Sequence, residues 1–321
     1  MLLTITNSGD VTADYLLERL AEESIPFVRF DTDTVLKNVS FAYEPGQPRV
    51  QIEGDWHRPE DFSTVWYRRP EKLVSHISGS QGPEAACSLD EWSESLEGFF
   101  AHIPSSRWIN YPAANALASR KLEQLTSVQQ FGFKIPESIV TQDPETLRSF
   151  FRRHQGEIIV KPMGRAYIER PDEASDTVIF TNQVNASELD DLADLCECPT
   201  LFQQEIRKVS DVRITVVDSD VHAFELMAND DSGRQRCDIR RNNMADVEYR
   251  KISLPKNVSS AVHELMAFYR LRFAAIDMAV ADDGTWYFFE VNPNGQWAWL
   301  DLCGVADIYK SFVQSIAAAT R

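Results

Sequence analysis

The segment that most restricts this chain is AAIDMAVADDGTWYFFEVNPNG, residues 274–295. Its Asp283-Gly284 pair is a tight-turn signal that favours a two-residue hairpin. If Asp282 pairs with Thr285, counting back along both strands sets Asp277 opposite Glu290, with Cβ atoms roughly 4.5 to 5.5 Å apart. Asn292, two residues on, shares that face. Facing carboxylates repel, and burying them unpaired costs several kcal/mol or forces one to take up a proton. A divalent cation removes the conflict. Asp, Glu and Asn oxygens are hard ligands suited to magnesium, which keeps waters and takes further ligands from a substrate's phosphates. The expectation is therefore a metal and nucleotide site at Asp277, Glu290 and Asn292. The competing reading is a solvated acidic pair on an exposed face, and a longer loop would slip the register.

The chain has 321 residues, 43% of them hydrophobic, enough for a sizeable core divided over two or three structural units. No stretch approaches the roughly 20 apolar residues that a membrane span needs, and MLLTIT is too short for a secretory signal. The expected compartment is the cytoplasm. Five cysteines at scattered positions argue against a disulfide framework, and the Cys196-Glu-Cys198 pair lacks a second pair at ligand spacing, so it is read as packing. A formal charge of −17 argues against nucleic-acid and anionic-membrane partners. The six histidines form no motif.

Along the chain, MLLTIT reads as a strand, the stretch to Pro26 as a helix capped at Asp10 or Thr12, and FVRFDTD as a second strand. This opening lacks a GxGxxG loop, which argues against a dinucleotide site. The first unit ends near Asn110 to Asn115. KLEQLTSVQQF reads as a helix capped by Ser119, with Leu122, Leu125 and Val128 on one face and Gly132 as its stop. Lys121 in its first turn opposes the helix dipole, a placement that suits an anion nearby. EIIVKP reads as a strand closed by Lys161, ASELDDLADL as a helix, LFQQEI as a strand, and VRITVV with VHAFEL as a hairpin around Asp218 to Asp220.

Lys121 on a helix, Lys161 ending a strand, the QQEI strand, the DVR strand and the Asp…Glu-x-Asn hairpin occur in an order that resembles the ATP-grasp superfamily. The resemblance spans Lys121 to Asn292. It implies an α/β N-terminal domain followed by a two-part α+β ATP-grasp fold, with units at 1–112, 113–200 and 201–321. It also implies that Lys121 and Lys161 hold the phosphates of ATP. Gln204 joins the nucleotide set, the backbone of Glu205 and Ile206 meets the adenine, and Asp211 meets the ribose. Arg213 faces the transferring phosphate, and Asp277, Glu290 and Asn292 hold Mg2+. This agrees with the chemistry, since phosphoryl transfer is mainly positioning and charge neutralisation.

A narrower resemblance is to the ATP-grasp peptide maturases that make graspetides, the microviridin-type crosslinked peptides. ITNSGDVTADYLLERL…FVRFDTD, WYRRP at Trp66 to Pro70, DIRRNN at Asp238 to Asn243 and EVNPNGQWAWLD carry it. The family implies ATP-dependent activation of Asp or Glu side chains of a precursor peptide, then attack by Ser, Thr or Lys of the same peptide. A leader-bearing precursor is the implied partner, Arg240 stands near the acyl phosphate with Arg241 as its neighbour, and a homodimer is a family expectation. The family's DWR reads DIR here, and the loop after Lys161 is poor in glycine, which leaves open which backbone amides cradle the phosphates. The alternatives are a ligase joining an amino acid to a small molecule or protein terminus, and a non-catalytic nucleotide-binding protein. Arg68 and Arg69 are assigned no single role: nucleotide, peptide or an acidic neighbour would each fit. Gln296, Trp297 and Trp299 read as groove or core.

Overall fold

The computed structural model describes residues 1–34, 36, 38–74, 82–164, 167–168, 177–230, 232–241 and 246–320. Much of the glycine-poor loop after Lys161, and Asn242 and Asn243 of the DIRRNN segment, lie outside them.

The N-terminal unit is a parallel sheet ordered Phe27–Asp31, Leu2–Thr6, Thr64–Tyr67, Trp108–Ile109. Both its faces are covered, so Leu2–Thr6 is apolar or buried throughout. Leu3, Ile5 and Val65 pack towards Leu96 and Phe99 of the helix Pro83–Ala101. Leu2 and Trp66, alternating with them, pack towards Leu16 and Leu20 of the helix Val11–Glu22. Asp10 caps that helix, as the sequence suggests, accepting from Thr12 N and Ala13 N. A small antiparallel sheet of Val39–Glu44, Gln47–Ile52 and Asp55–His57 completes the unit.

The central sheet is antiparallel, ordered Asn182–Gln183, Ile158–Lys161, Thr200–Gln204, Ser138–Thr141. The helix Pro144–Arg153 covers it through Leu147 and Phe150, which meet Ile158 and Phe202. The helix expected at ASELDDLADL does not form; two 3-10 turns, Ala186–Leu189 and Asp194–Glu197, stand there. Asp190 and Asp194 would sit one turn apart as like charges, which opposes a continuous helix. Cys196 and Cys198 are exposed, so their reading as packing is corrected.

The third sheet is antiparallel and five-stranded, ordered Glu248–Ile252, Asp220–Met227, Lys208–Val217, Phe273–Ala281, Trp286–Asn292. One face packs on the helix Lys256–Tyr269 through Val212, Ile214, Ile276 and Val291. The helices Pro112–Ala118 and Lys121–Ser127 open the second expected unit, yet Ala118 and Val128 beside them pack into this third core. Ser119 is not the cap of the second helix: its hydroxyl donates back to Asn115 O at 2.7 Å, and Arg120 stands at the cap in an extended conformation. That helix buries Gln124, while Leu122 is exposed, so the expected apolar face is rotated.

The other face of the third sheet is divided along its strands. At one end Val217 pairs with Phe273, and both join a core shared with the N-terminal unit. Phe312 of the terminal helix Ile308–Thr320 is its hub, with ring centroids 5.4 Å from Trp66, 5.4 Å from Phe273 and 4.9 Å from Trp297. Trp297 is thus core, while Trp299 is half-buried. Asn110 crosses the same joint, donating to Phe273 O at 2.8 Å and Pro293 O at 3.2 Å and accepting from Arg272 N at 2.7 Å and Phe273 N at 2.9 Å.

Gly295, just past the last strand, has no room for a side chain: a Cβ there would fall 2.2 Å from Ala275 Cβ. Gly295→Ala is expected to cost about 1–3 kcal/mol of stability by overpacking. Urea unfolding of the variant beside the parent checks this, and an unshifted midpoint would show that the loop yields freely.

Candidate active site

The hairpin that was expected to bring Asp277 to Glu290 does so, by a different route. Ala281, not Asp282, pairs with Thr285: Ala281 N donates to Thr285 O at 2.8 Å, leaving a three-residue loop with Gly284 at φ 80°. Near the turn Met278 therefore pairs with Phe288, one residue off the expected register. A bulge at Phe289 then inserts one residue in the second strand and restores the Asp277 to Glu290 and Ala275 to Asn292 pairings. The two departures cancel at the functional rung.

Across the first strand Asp277 also pairs with Arg213, whose Nη1 lies 3.3 Å from Asp277 Oδ1. One rung thus reads Arg213, Asp277, Glu290. Lys121 approaches from above, with Nζ 3.2 Å from Glu290 Oε2 and donating to Pro162 O at 2.8 Å. Its helix is held there by Gln124, whose amide pairs with Val291 like an added strand residue, donating to Val291 O at 2.9 Å and accepting from Val291 N at 3.0 Å. The central sheet delivers Lys161, the last residue of its strand, whose Nζ stands 5.6 Å from the centroid of the bulged Phe289 ring.

The electrostatics follow from this crowding. Burial raises Asp277 to about 6, with Arg213 opposing and Glu290 adding to the rise. Burial acts against the charge of Glu290 too, but Lys121 and Lys161 outweigh it and hold that carboxylate below its ordinary value. Burial lowers Lys161 to about 8, with Glu290 pulling it back up and Lys121 pressing it down.

Sequence counting missed Lys208. Strand alternation from Asp211 and Arg213 puts it on the helix side, but a bulge between Lys208 and Ser210 turns it to the open face. There Nζ donates to Asp211 Oδ1 at 2.6 Å and to Cys237 O at 3.1 Å, and lies 5.8 Å from the Phe289 centroid. Asp211 Oδ2 accepts from Gln235 at 2.7 Å, so both its oxygens are engaged. Burial raises Asp211 and Lys208 opposes it.

Gln204 ends its strand, and Glu205 and Ile206 form the link between the central and third sheets rather than extending the strand. Glu205 N donates to Glu157 O at 3.0 Å, and its carboxylate accepts from Gln183 at 2.6 Å. Arg240 sits on the turn Ile239–Arg241, its fork bound to Asp238 at 2.9 Å and 2.5 Å, while Asp238 also accepts from Thr181 N at 2.9 Å. Arg241 stacks on Phe180, with 4.8 Å to the centroid, and bonds Asn182.

All these residues line one cleft of about 2240 Å³ between the central and third sheets: Lys121, Lys161, Gln204, Glu205, Ile206, Asp211, Arg213, Arg240, Asp277, Glu290 and Asn292. Arg69, Tyr249, Gln296 and Trp299 also line it. Arg68 does not; it is buried. Among the described residues no three His, Cys, Asp or Glu side chains gather as a metal cluster. The facing pair with the Asn292 amide is instead a set of hard oxygens that fits a magnesium ion sharing its shell with phosphates and water.

Residues 1–115 match the model of the MvdD pre-ATP grasp domain family. No curated protein matches the chain by sequence. The macrocyclase MdnC from Microcystis aeruginosa MRC, solved with precursor peptide MdnA, is similar at 25% identity and TM-score 0.85, over 99% of this chain and 100% of that one. A Chryseobacterium gregarium RiPP-associated ATP-grasp ligase, solved with ADP and a leader and core peptide, is similar at 28% identity and TM-score 0.85, over 99% and 96%. PsnB, solved with a minimal precursor, Mg and ADP, shares the fold at 20% identity and TM-score 0.73, over 99% and 98%. Fold and site define an ADP-forming ATP-grasp ligase. Within that class, the N-terminal match and the whole-length likenesses are to ATP-grasp peptide maturases.

Lys161 is expected to titrate near 8 rather than in the ordinary lysine range. Carbon-13 NMR of reductively methylated lysines measures it. Glu290→Gln removes the charge that most raises it, so the midpoint should move lower; an unmoved midpoint would mean that the two side chains do not share a field.

Proposed function

We propose that this protein is an ATP-dependent ligase that activates Asp or Glu side chains of a leader-bearing precursor peptide and closes them into intramolecular ester or amide crosslinks. The observation that carries the reading is the Arg213, Asp277, Glu290 rung with Lys121 and Lys161 over it, in a cleft of about 2240 Å³. That volume exceeds the roughly 300–1,000 Å³ typical of a small-molecule site, as a nucleotide beside a peptide segment requires. MdnC and the Chryseobacterium ligase, solved with their peptides, support the same partner.

ATP with Mg2+ would supply the phosphoryl group that turns a carboxylate into an acyl phosphate. Asp277, Glu290 and Asn292 would hold the metal, with Lys121 and Arg213 exchanging their carboxylate partners for phosphate oxygens. Lys161 adds a third cation, from the central sheet, so the two sheets together complete the charge set. Gln204 and the backbone of Glu205 and Ile206 would face the adenine and Asp211 the ribose, where Lys208 and Gln235 already fix its orientation. Arg240, carried on the opposite wall, presents a fork suited to the acyl phosphate.

The test is mass spectrometry of a candidate precursor after incubation with protein, ATP and Mg2+. Losses of whole water masses, with one ADP formed per water lost, are the expected result. Glu290→Gln should slow this by about a hundredfold or more with the fold intact, and Lys161→Ala should weaken nucleotide binding. An intact peptide from protein that still releases ADP with free amino acids would move the reading to a small-molecule ligase.

A further inference from the structure

The Arg68-Arg69-Pro70 segment divides in two directions. Arg69 is exposed at the cleft, whereas the Arg68 side chain is wholly buried. Its Nε lies 3.3 Å from Asp10 Oδ2, Nη1 donates to Asn294 O and, at 3.1 Å, to Gly295 O, and Nη2 donates to Gln296 Oε1 at 2.8 Å. Asp10 is an ion-pair partner, and every hydrogen-bond acceptor of this guanidinium belongs to the loop that follows the Glu290 strand. That loop sets Asn292: Asn294 N donates to Asn292 Oδ1 at 3.0 Å, and Gly295 N to Asn292 O at 3.1 Å.

We propose that Arg68 is a positioning residue for the metal site, through which the N-terminal unit fixes the Asn294 to Gln296 loop and so aims the Asn292 amide oxygen. The inference rests on the reading of Asp277, Glu290 and Asn292 as magnesium ligands. Burying a guanidinium costs several kcal/mol, and an apolar side chain would fill the space more cheaply. It could not grip two carbonyls and an amide at once, which a planar fork of five donors does. The buried charge thus secures geometry that packing alone does not. Groups behind a metal ligand act in this way, and losing one lowers metal affinity by about 10- to 100-fold.

Arg68→Lys and Gln296→Met test this, the second removing the amide acceptor while leaving the buried charge pair alone. Electron paramagnetic resonance would measure Mn2+ binding to the protein with ADP, beside thermal unfolding and the Mg2+ dependence of ADP formation. Both variants should weaken Mn2+ binding by about tenfold and raise the half-saturating Mg2+ by a similar factor, with metal-free ADP affinity unchanged. A lower unfolding temperature with unaltered Mn2+ affinity would overturn the proposal and leave Arg68 a stabilising group. Should Arg68→Lys not fold, Gln296→Met decides by the same measurement. Parent protein that binds no Mn2+ with ADP would instead sink the metal reading itself.

Discussion

Like charges placed face to face on neighbouring strands are the constraint around which this molecule is arranged. Asp277 and Glu290 occupy paired positions, so both side chains leave the sheet as neighbours on one face. The fold answers by drawing cations from three directions: Arg213 from the adjoining strand, Lys121 from a helix and Lys161 from the central sheet. These are the same groups that a phosphate with its metal would recruit. The carboxylates are therefore compensated without a ligand, and groups fixed in advance in this way would need little reorganisation if one bound.

The third sheet serves two purposes on one face. Going along its strands, the rungs pass from Val217 with Phe273, through Thr215, Ala275 and Asn292, to Arg213, Asp277 and Glu290. The apolar end is sealed against Trp66, Trp297 and Phe312, and the charged end is left as the cleft floor. The N-terminal unit is thus anchored within a few residues of the site. Asn110 and Arg68 extend this anchorage to the carbonyls of Pro293, Asn294 and Gly295, in the loop after the Glu290 strand.

The route to the Asp277 and Glu290 pairing shows why counting residues succeeded in outcome and failed in detail. Turn chemistry suggested a two-residue loop, but Gly284 takes a left-handed conformation in a three-residue one, and the Phe289 bulge compensates. Bulges answer to packing on both faces of a sheet, which a single strand's alternation does not record. The bulge between Lys208 and Ser210 likewise hid Lys208, and the placing of Gln124 against Val291 rotated a helix whose leucines suggest another buried face.

By itself the sequence determined the order of the chemistry: lysines, arginines and carboxylates on strands and helices whose periodicity and turn residues mark them out. It also placed both carboxylates in one local hairpin, while their facing needed the bulge at Phe289. Only the tertiary structure decided which cations reach them, and that Arg68 turns inward while Arg69 faces the cleft. Each of these depends on contacts between segments far apart in the chain, where burial and charge compensation outweigh local preference.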